Sequence, residues 1–345
     1  MMKKRKLIAN SLLLMIIFLI TVYFIFRGQN INGLIQNIKS TDSKYWVWSV
    51  LCVLVFIASE SIIIFYMMNT IRQKVDLLHC LLYSFVGFFF SCITPSASGG
   101  QPAQIFFMKK DRIPIPVSTL ILMIVTVTYK MVLVLLGSAV FIIRPTEIMN
   151  LLHPVLGICY LGFVLNVICV AFMLLMIFHP TMAKNQLTAI VKLFGKIHFI
   201  HKTDYYLYKI EESMKQYEDV ALYFRTHEIV ISNVLMISLF QRFILFYVTY
   251  LTYRSFGLKG TSFLAIVVLQ GMISVAVDML PLPGGMGVSE KMFLMIFTPL
   301  FGSMTLPAMV ISRGLSYYTE LIISALFTLI AFFTIGPKTE RKNKI

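Results

Sequence analysis

Pro281-Leu282-Pro283-Gly284-Gly285-Met286-Gly287-Val288-Ser289-Glu290 interrupts the apolar stretch Ser262–Leu300. A second cluster, Thr94-Pro95-Ser96-Ala97-Ser98-Gly99-Gly100-Gln101-Pro102, interrupts Leu77–Met108 in the same way. Lipid offers no water to backbone N–H and C=O groups, so non-helical chain at membrane depth survives only where protein or a water-filled cavity surrounds it. Broken apolar segments at matching places in two halves of a chain point to a transport site. The clusters therefore predict two re-entrant broken-helix hairpins, with Gly99–Gln101 and Gly284–Gly287 both reaching a central aqueous cavity.

Working outward, the composition agrees with membrane residence. The 345 residues are 58% hydrophobic and 13% charged, with a mean hydropathy of +0.84, far from the averages of soluble domains. Six apolar runs have the length needed to cross a bilayer: Leu7–Phe26, Tyr45–Met68, Pro116–Ile143, Pro154–Phe178, Ile229–Tyr253 and Met304–Ile335. The first follows Lys3-Lys4-Arg5-Lys6 but is too long for a signal peptide and lacks a small-residue cleavage site, so it reads as a retained anchor helix. The expected class is an all-α integral membrane protein with six transmembrane helices and two re-entrant hairpins.

Charge supplies the orientation. With both hairpins re-entrant, the proposed cytoplasmic parts hold 20 Lys and Arg and the proposed outer loops hold 6, which predicts cytoplasmic termini. The net charge of +15 then reads as an orientation signal and an affinity for anionic lipids; no nucleic-acid motif accompanies it. The same placement predicts a single membrane domain: anchor helix 7–26, a first repeat 45–143, a linking helix 154–178, a cytoplasmic basic segment 180–226, a second repeat 229–335 of inverted topology, and a basic tail 336–345. Ile190–Ile197 reads either as a basic amphipathic stretch on the inner leaflet or as a plain solvated linker.

Charges inside apolar segments are the candidate machinery, because an unpaired one costs at least about 2.5–3.5 kcal/mol on insertion scales. Arg313, Glu290 and Asp278, together with Lys130, form the expected substrate-binding set around Gly99, Gly100, Gln101, Gly284, Gly285 and Gly287, with Glu60, Arg242 and Glu320 as supporting charges. Arg313 answers to Lys130, each lying about 30 residues after its break. As a guanidinium it holds phosphate bidentately. The bland alternative is an ion-pair network that only holds helices together. Lys291 is expected to snorkel. The five cysteines, Cys52, Cys80, Cys92, Cys159 and Cys169, lie in apolar runs without metal-ligand spacing and read as packing thiols, and His198-x-x-His201 reads as loop histidines, so no metal or cofactor is expected. Neither a Walker A sequence nor a Gly-x-Ser-x-Gly elbow is present.

The Pro-x-Pro-Gly-Gly-x-Gly-x-x-Glu pattern at Pro281–Glu290, the Pro…Gly-Gly segment at Pro95–Gly100 and the Arg-x-x-x-Tyr-Tyr span at Arg313–Tyr318 resemble the membrane domain of bacterial lysylphosphatidylglycerol synthase/flippase proteins, across essentially the whole chain. Similar proteins often carry an acidic residue after the first Gly pair and a Glu-Arg pair in the next span, where this chain has Gln101, Gln104 and Tyr129-Lys130. The resemblance implies movement of an anionic or aminoacylated lipid, or another lipid-linked intermediate, between leaflets. It assigns lipid aminoacylation to a separate soluble domain. Three readings stay open: a lipid flippase, a lipid-modifying enzyme or half-synthase with a separate soluble partner, and a non-catalytic membrane subunit; the expected partners are lipids and either a second copy in a homo-oligomer or a separate soluble transferase.

Overall fold

The structure, a computed structural model, describes residues 31–196 and 203–335. The expected anchor helix Leu7–Phe26, the tail 336–345 and the pair His198/His201 lie outside the described residues. Within them every regular element is helical. The order is α1 (Ile31–Lys39), α2 (Lys44–Thr70), α3 (Leu77–Cys92), α4 (Gly100–Lys110), α5 (Ile115–Ile143), α6 (Thr146–Leu152), α7 (Leu156–Phe178), α8 (Pro180–Lys196), α9 (Thr203–Thr226) and α10 (Glu228–Ser255). It continues with α11 (Phe263–Val277), α12 (Val288–Phe301), α13 (Thr305–Arg313), a π-helical turn Gly314–Tyr318, and α14 (Thr319–Thr334).

Five helical stretches among the described residues are long and apolar enough to cross a membrane: 44–70, 115–143, 146–178, 228–255 and 288–334. They overlap the five expected spans that fall on described residues, the last of them also taking in Val288–Phe301, which the sequence places in the second hairpin, and the chain is an all-α integral membrane protein. Local chemistry accounts for their ends. Pro116 sits in the first turn of α5, where its missing N–H is no loss, and Arg144 closes that helix in a left-handed conformation.

The first broken segment comprises α3 and α4, and the second comprises α11 and α12. Contacts made in one half recur in the other: α2 packs on α3 as α10 does on α11, α14 covers α3 as α5 covers α11, and α2 and α10 lie against each other at the centre. These two central helices run antiparallel. The Asp42 N–H before α2 donates to Ser255 O at the end of α10 (3.0 Å), and Tyr66 near the end of α2 accepts from Asn233 near the start of α10 (3.0 Å).

The basic segment after α7 is helical where it is described, and the stretch expected at Ile190–Ile197 falls at the end of α8, with Ile197 outside the described residues. Among its described residues it forms α8 and α9, and α9 turns the stripe Met214, Tyr217, Ala221 and Phe224 inward. That spacing of three and four residues is the apolar seam of a helix face. Tyr217 also donates to Met176 O at the end of α7 (3.2 Å). At the same end of the molecule, His79 of α3 bonds Asp111 just after α4 (2.7 Å), and Tyr83 donates to the same carboxylate, tying the two arms of the first hairpin together.

Candidate functional site

The two breaks meet tip to tip. Their backbones pair at Pro95 and Pro283, Ser96 Oγ donates to Leu280 O (3.0 Å), and Tyr317 on the π-helical turn donates to Cys92 O (2.9 Å). A cavity of about 450 Å³ lies at this junction.

Each break is held open by its own chemistry. In the first, Thr94 Oγ1 accepts from the Gly99 N–H (2.8 Å) and donates to Phe90 O (2.6 Å), so one hydroxyl both stops α3 and steers the chain toward α4. Ser96 and Ala97 adopt positive φ (50° and 54°), a conformation costly for residues with a Cβ. In the second break the positive φ values fall on Gly284, Gly285 and Gly287 (55°, 66° and 84°), where glycine carries no such strain. There Glu290 reaches back to the Gly287 N–H (2.6 Å), the return half of a capping box, and also accepts from Ser289 Oγ (3.0 Å).

Arg313 belongs to this second brace. Its Nε donates to Glu290 Oε1 (2.8 Å) and its Nη2 to Gly284 O (2.9 Å), while the guanidinium lies 4.6 Å from the centre of the Tyr317 ring. The Arg-x-x-x-Tyr spacing visible in the sequence produces that stacking, since residues four apart share a helix face. Asp278 does not pair with Arg313. It forms an ion pair with Lys130 across the two halves and accepts from Tyr129 OH (2.9 Å).

The remaining charges are differently placed. Glu60 Oε1 accepts from Gln104 Nε2 (2.8 Å), and Glu320 Oε1 lies 3.5 Å from the Cys92 thiol that donates to it. Among the described residues neither carboxylate has a cation within ion-pair distance. Arg242 lies with its guanidinium 4.0 Å from the Tyr129 ring centre and 5.4 Å from that of Phe56. Its Nε is buried without a hydrogen-bond partner. Burying polar groups without partners is expensive, and Arg242 lines the cavity with that atom unpaired.

Of the residues expected in the site, Arg313, Asp278, Lys130, Gln101, Gly284, Gly285, Glu60, Arg242 and Glu320 line the cavity. Gly99, Gly100, Gly287 and Glu290 lie outside its lining. Gly100 is a packing residue: a Cβ there would stand 2.2 Å from Ser91 Oγ and 2.8 Å from Gly87 O. Lys291 is exposed. The cysteines are all free, but two of them, Cys92 and the half-buried Cys169, border the cavity rather than simply filling the core. Tyr317 and Phe56, absent from the expected set, are also in the wall. No His/Cys/Asp/Glu cluster fit for a metal occurs among the described residues.

No curated protein matches the chain. The family described as "Lysylphosphatidylglycerol synthase TM region" matches residues 8–324. With its paired helix breaks and five described bilayer-length stretches, the chain is a multi-pass membrane protein of the lysylphosphatidylglycerol synthase transmembrane family.

Proposed function

We propose that the chain is a lipid flippase that moves an anionic or aminoacylated phospholipid, or another lipid-linked intermediate, between the leaflets of the bacterial cytoplasmic membrane. The observation that carries this reading is Arg242: a guanidinium against two aromatic rings, with no carboxylate within ion-pair distance among the described residues, in a cavity walled by the tips of both broken helices. A phosphodiester supplies the anion and acceptors such a group lacks, while Glu60 and Glu320 offer carboxylates to an ammonium on an aminoacylated headgroup. In this reading the termini are cytoplasmic, the hairpins re-enter from opposite sides, and the basic surface of the cytoplasmic segment rests against anionic lipid.

The test is reconstitution in liposomes carrying fluorescent lipids with different headgroups, scored by chemical quenching of the outer leaflet. Wild-type protein should accelerate exchange of at least one anionic or aminoacylated lipid, and Arg242→Gln should abolish the acceleration while the folded yield is retained. Exchange no faster than in empty liposomes, for every headgroup, would refute the reading.

The family's description favours a second reading, the membrane part of a lipid-aminoacylating synthase that works with a soluble partner. Incubating the purified chain with phosphatidylglycerol and lysyl-tRNA separates the two. We expect no lysylated lipid from the chain alone, and its appearance above background would promote the synthase reading.

A further inference from the structure

Setting aside the two ion pairs Lys130–Asp278 and Arg313–Glu290, the charged groups left in the cavity wall are Glu60, Glu320 and Arg242. Two carboxylates and one guanidinium sum to a formal −1 when both acids are ionised. A phosphodiester arriving at Arg242 brings another negative charge into a site where uncompensated charge is costly. All three groups line one cavity, where charges withdrawn from water interact more strongly than in bulk solvent. An anion that engages Arg242 withdraws its support from both acids at once.

We propose that Glu60 and Glu320 are proton-carrying groups coupled to phosphate binding at Arg242, so that an anionic headgroup enters the cavity together with a proton. The inference builds on the reading of the cavity as a lipid-headgroup site and adds a coupled ion to it. The step is a simple proton transfer. A carboxylate takes one proton from water on the side to which the cavity opens, becoming a carboxylic acid as the phosphodiester settles on Arg242. When the anion leaves on the other side, the acid O–H returns its proton to water there, and no other bond changes.

The surroundings of the two acids support this division of roles. Glu60 on α2 accepts from the neutral Gln104 of α4 and shares the cavity wall with Arg242 of α10. Glu320 on α14 accepts from the Cys92 thiol of α3 and shares the cavity wall with Arg242, Tyr317 and Arg313, whose Nε and Nη2 are held by Glu290 and the Gly284 carbonyl. Tyr129 and Lys130 of α5 direct their polar atoms to Asp278. Arg242 is thus the cation whose attention the acids and an anionic ligand contest. By linkage, whatever favours protonation of the acids favours the anion, and the anion raises proton affinity in return.

The experiment uses the full chain in uncharged detergent with two probes, dihexanoyl phosphatidylglycerol and glycerophosphoglycerol. Both are phosphodiesters that do not titrate near neutrality, so a dye in weakly buffered solution reports only protons taken up by protein. The expected result is net uptake, approaching about one proton per bound headgroup, with affinity rising up to about tenfold per unit fall in pH. Comparable behaviour with both probes would identify the phosphodiester itself as the coupled ligand, and uptake with the lipid alone would place the coupling on a lipid-bound headgroup. Glu60→Gln and Glu320→Gln each preserve shape and hydrogen-bonding capacity and should reduce uptake, and the double variant should bind without it. Binding without proton uptake in the wild type, undiminished uptake in the double variant, or no binding of either probe overturns the proposal. Uptake on binding together with failed lipid exchange in liposomes would refute the flippase and leave the proton linkage standing.

Discussion

At the scale of single residues, the second break depends on two features that mutagenesis can separate. Glu290 is 4% exposed, so removing its cation leaves a buried carboxylate held by the Gly287 N–H and the Ser289 hydroxyl. Arg313→Ala should therefore destabilise by about 3–5 kcal/mol. Arg313→Lys keeps the charge but cannot span both Glu290 and the Gly284 carbonyl, and its melting temperature in detergent should fall between wild type and Ala. Lipid exchange scaling with folded protein in both variants would mark Arg313 as a brace, whereas exchange lost by Arg313→Lys at full folded yield would mark it as a ligand for the headgroup. The second feature is space. A Cβ on Gly284 would stand 2.2 Å from the Tyr317 ring and would sit at a φ of 55°, so Gly284→Ala should cost about 1–3 kcal/mol by overpacking, with backbone strain added. Gly314→Ala, with nothing within 4 Å of the new Cβ, is the matched control and should melt near wild type.

At the scale of elements, the two hairpins were legible because proline and glycine clusters are rare inside apolar runs and their positions are local information. Hairpin arms expected at Leu77–Met108 and Ser262–Leu300 are found as α3–α4 and α11–α12. Pairing among the charges was not legible, since Lys130 and Asp278 are 148 residues apart and Glu60 and Gln104 are 44 apart; a chain of charged residues does not record which will meet. The π-helical turn that follows Arg313 was equally hidden, because the sequence Gly314–Tyr318 carries no mark distinguishing i→i+5 from i→i+4 bonding. The close crossing of α7 over α11 is a third case. Gly162 packs there against backbone, with Val275 O 2.4 Å and Ala276 Cα 2.5 Å from where its Cβ would be, and Asn166 donates to Val275 O (3.2 Å). Small residues let membrane helices approach and a polar side chain then bonds across. A Cβ at position 162 meets rigid main chain, so Gly162→Ala should lower stability by about 1–3 kcal/mol, read as a fall in the melting temperature of the purified protein. A wild-type melting temperature would mean that the crossing is looser than its geometry implies. Gly157→Ala on the same helix, with nothing within 4 Å, should show no such fall.

At the scale of the whole molecule, the antiparallel pair α2 and α10 defines two ends. Asp42 and Ser255 meet at one, and Tyr66 and Asn233 lie toward the other. A 27-residue helix such as α2 is about 40 Å long, enough to cross the hydrocarbon layer. Lys259 follows α10 at the first end. Lys110 closes α4 at the second, where Asp111 is bonded to His79 at the start of α3. In a bilayer those lysines should face opposite compartments, and the excess of Lys and Arg near Lys110 predicts that this end faces the cytoplasm. The check is single cysteines at 110, 184, 144 and 259 in a cysteine-free background, labelled in intact cells with a membrane-impermeant thiol reagent. Positions 259 and 144 should label from outside, and 110 and 184 only after lysis. A cysteine at Ser98, exposed on the tip of the first break and in the cavity wall, should react with a small polar reagent and be protected by a bound anionic lipid. Labelling of 110 and 259 from the same side would overturn the arrangement of the spans, and with it the proposed re-entry of the hairpins from opposite sides that the proposed flippase needs.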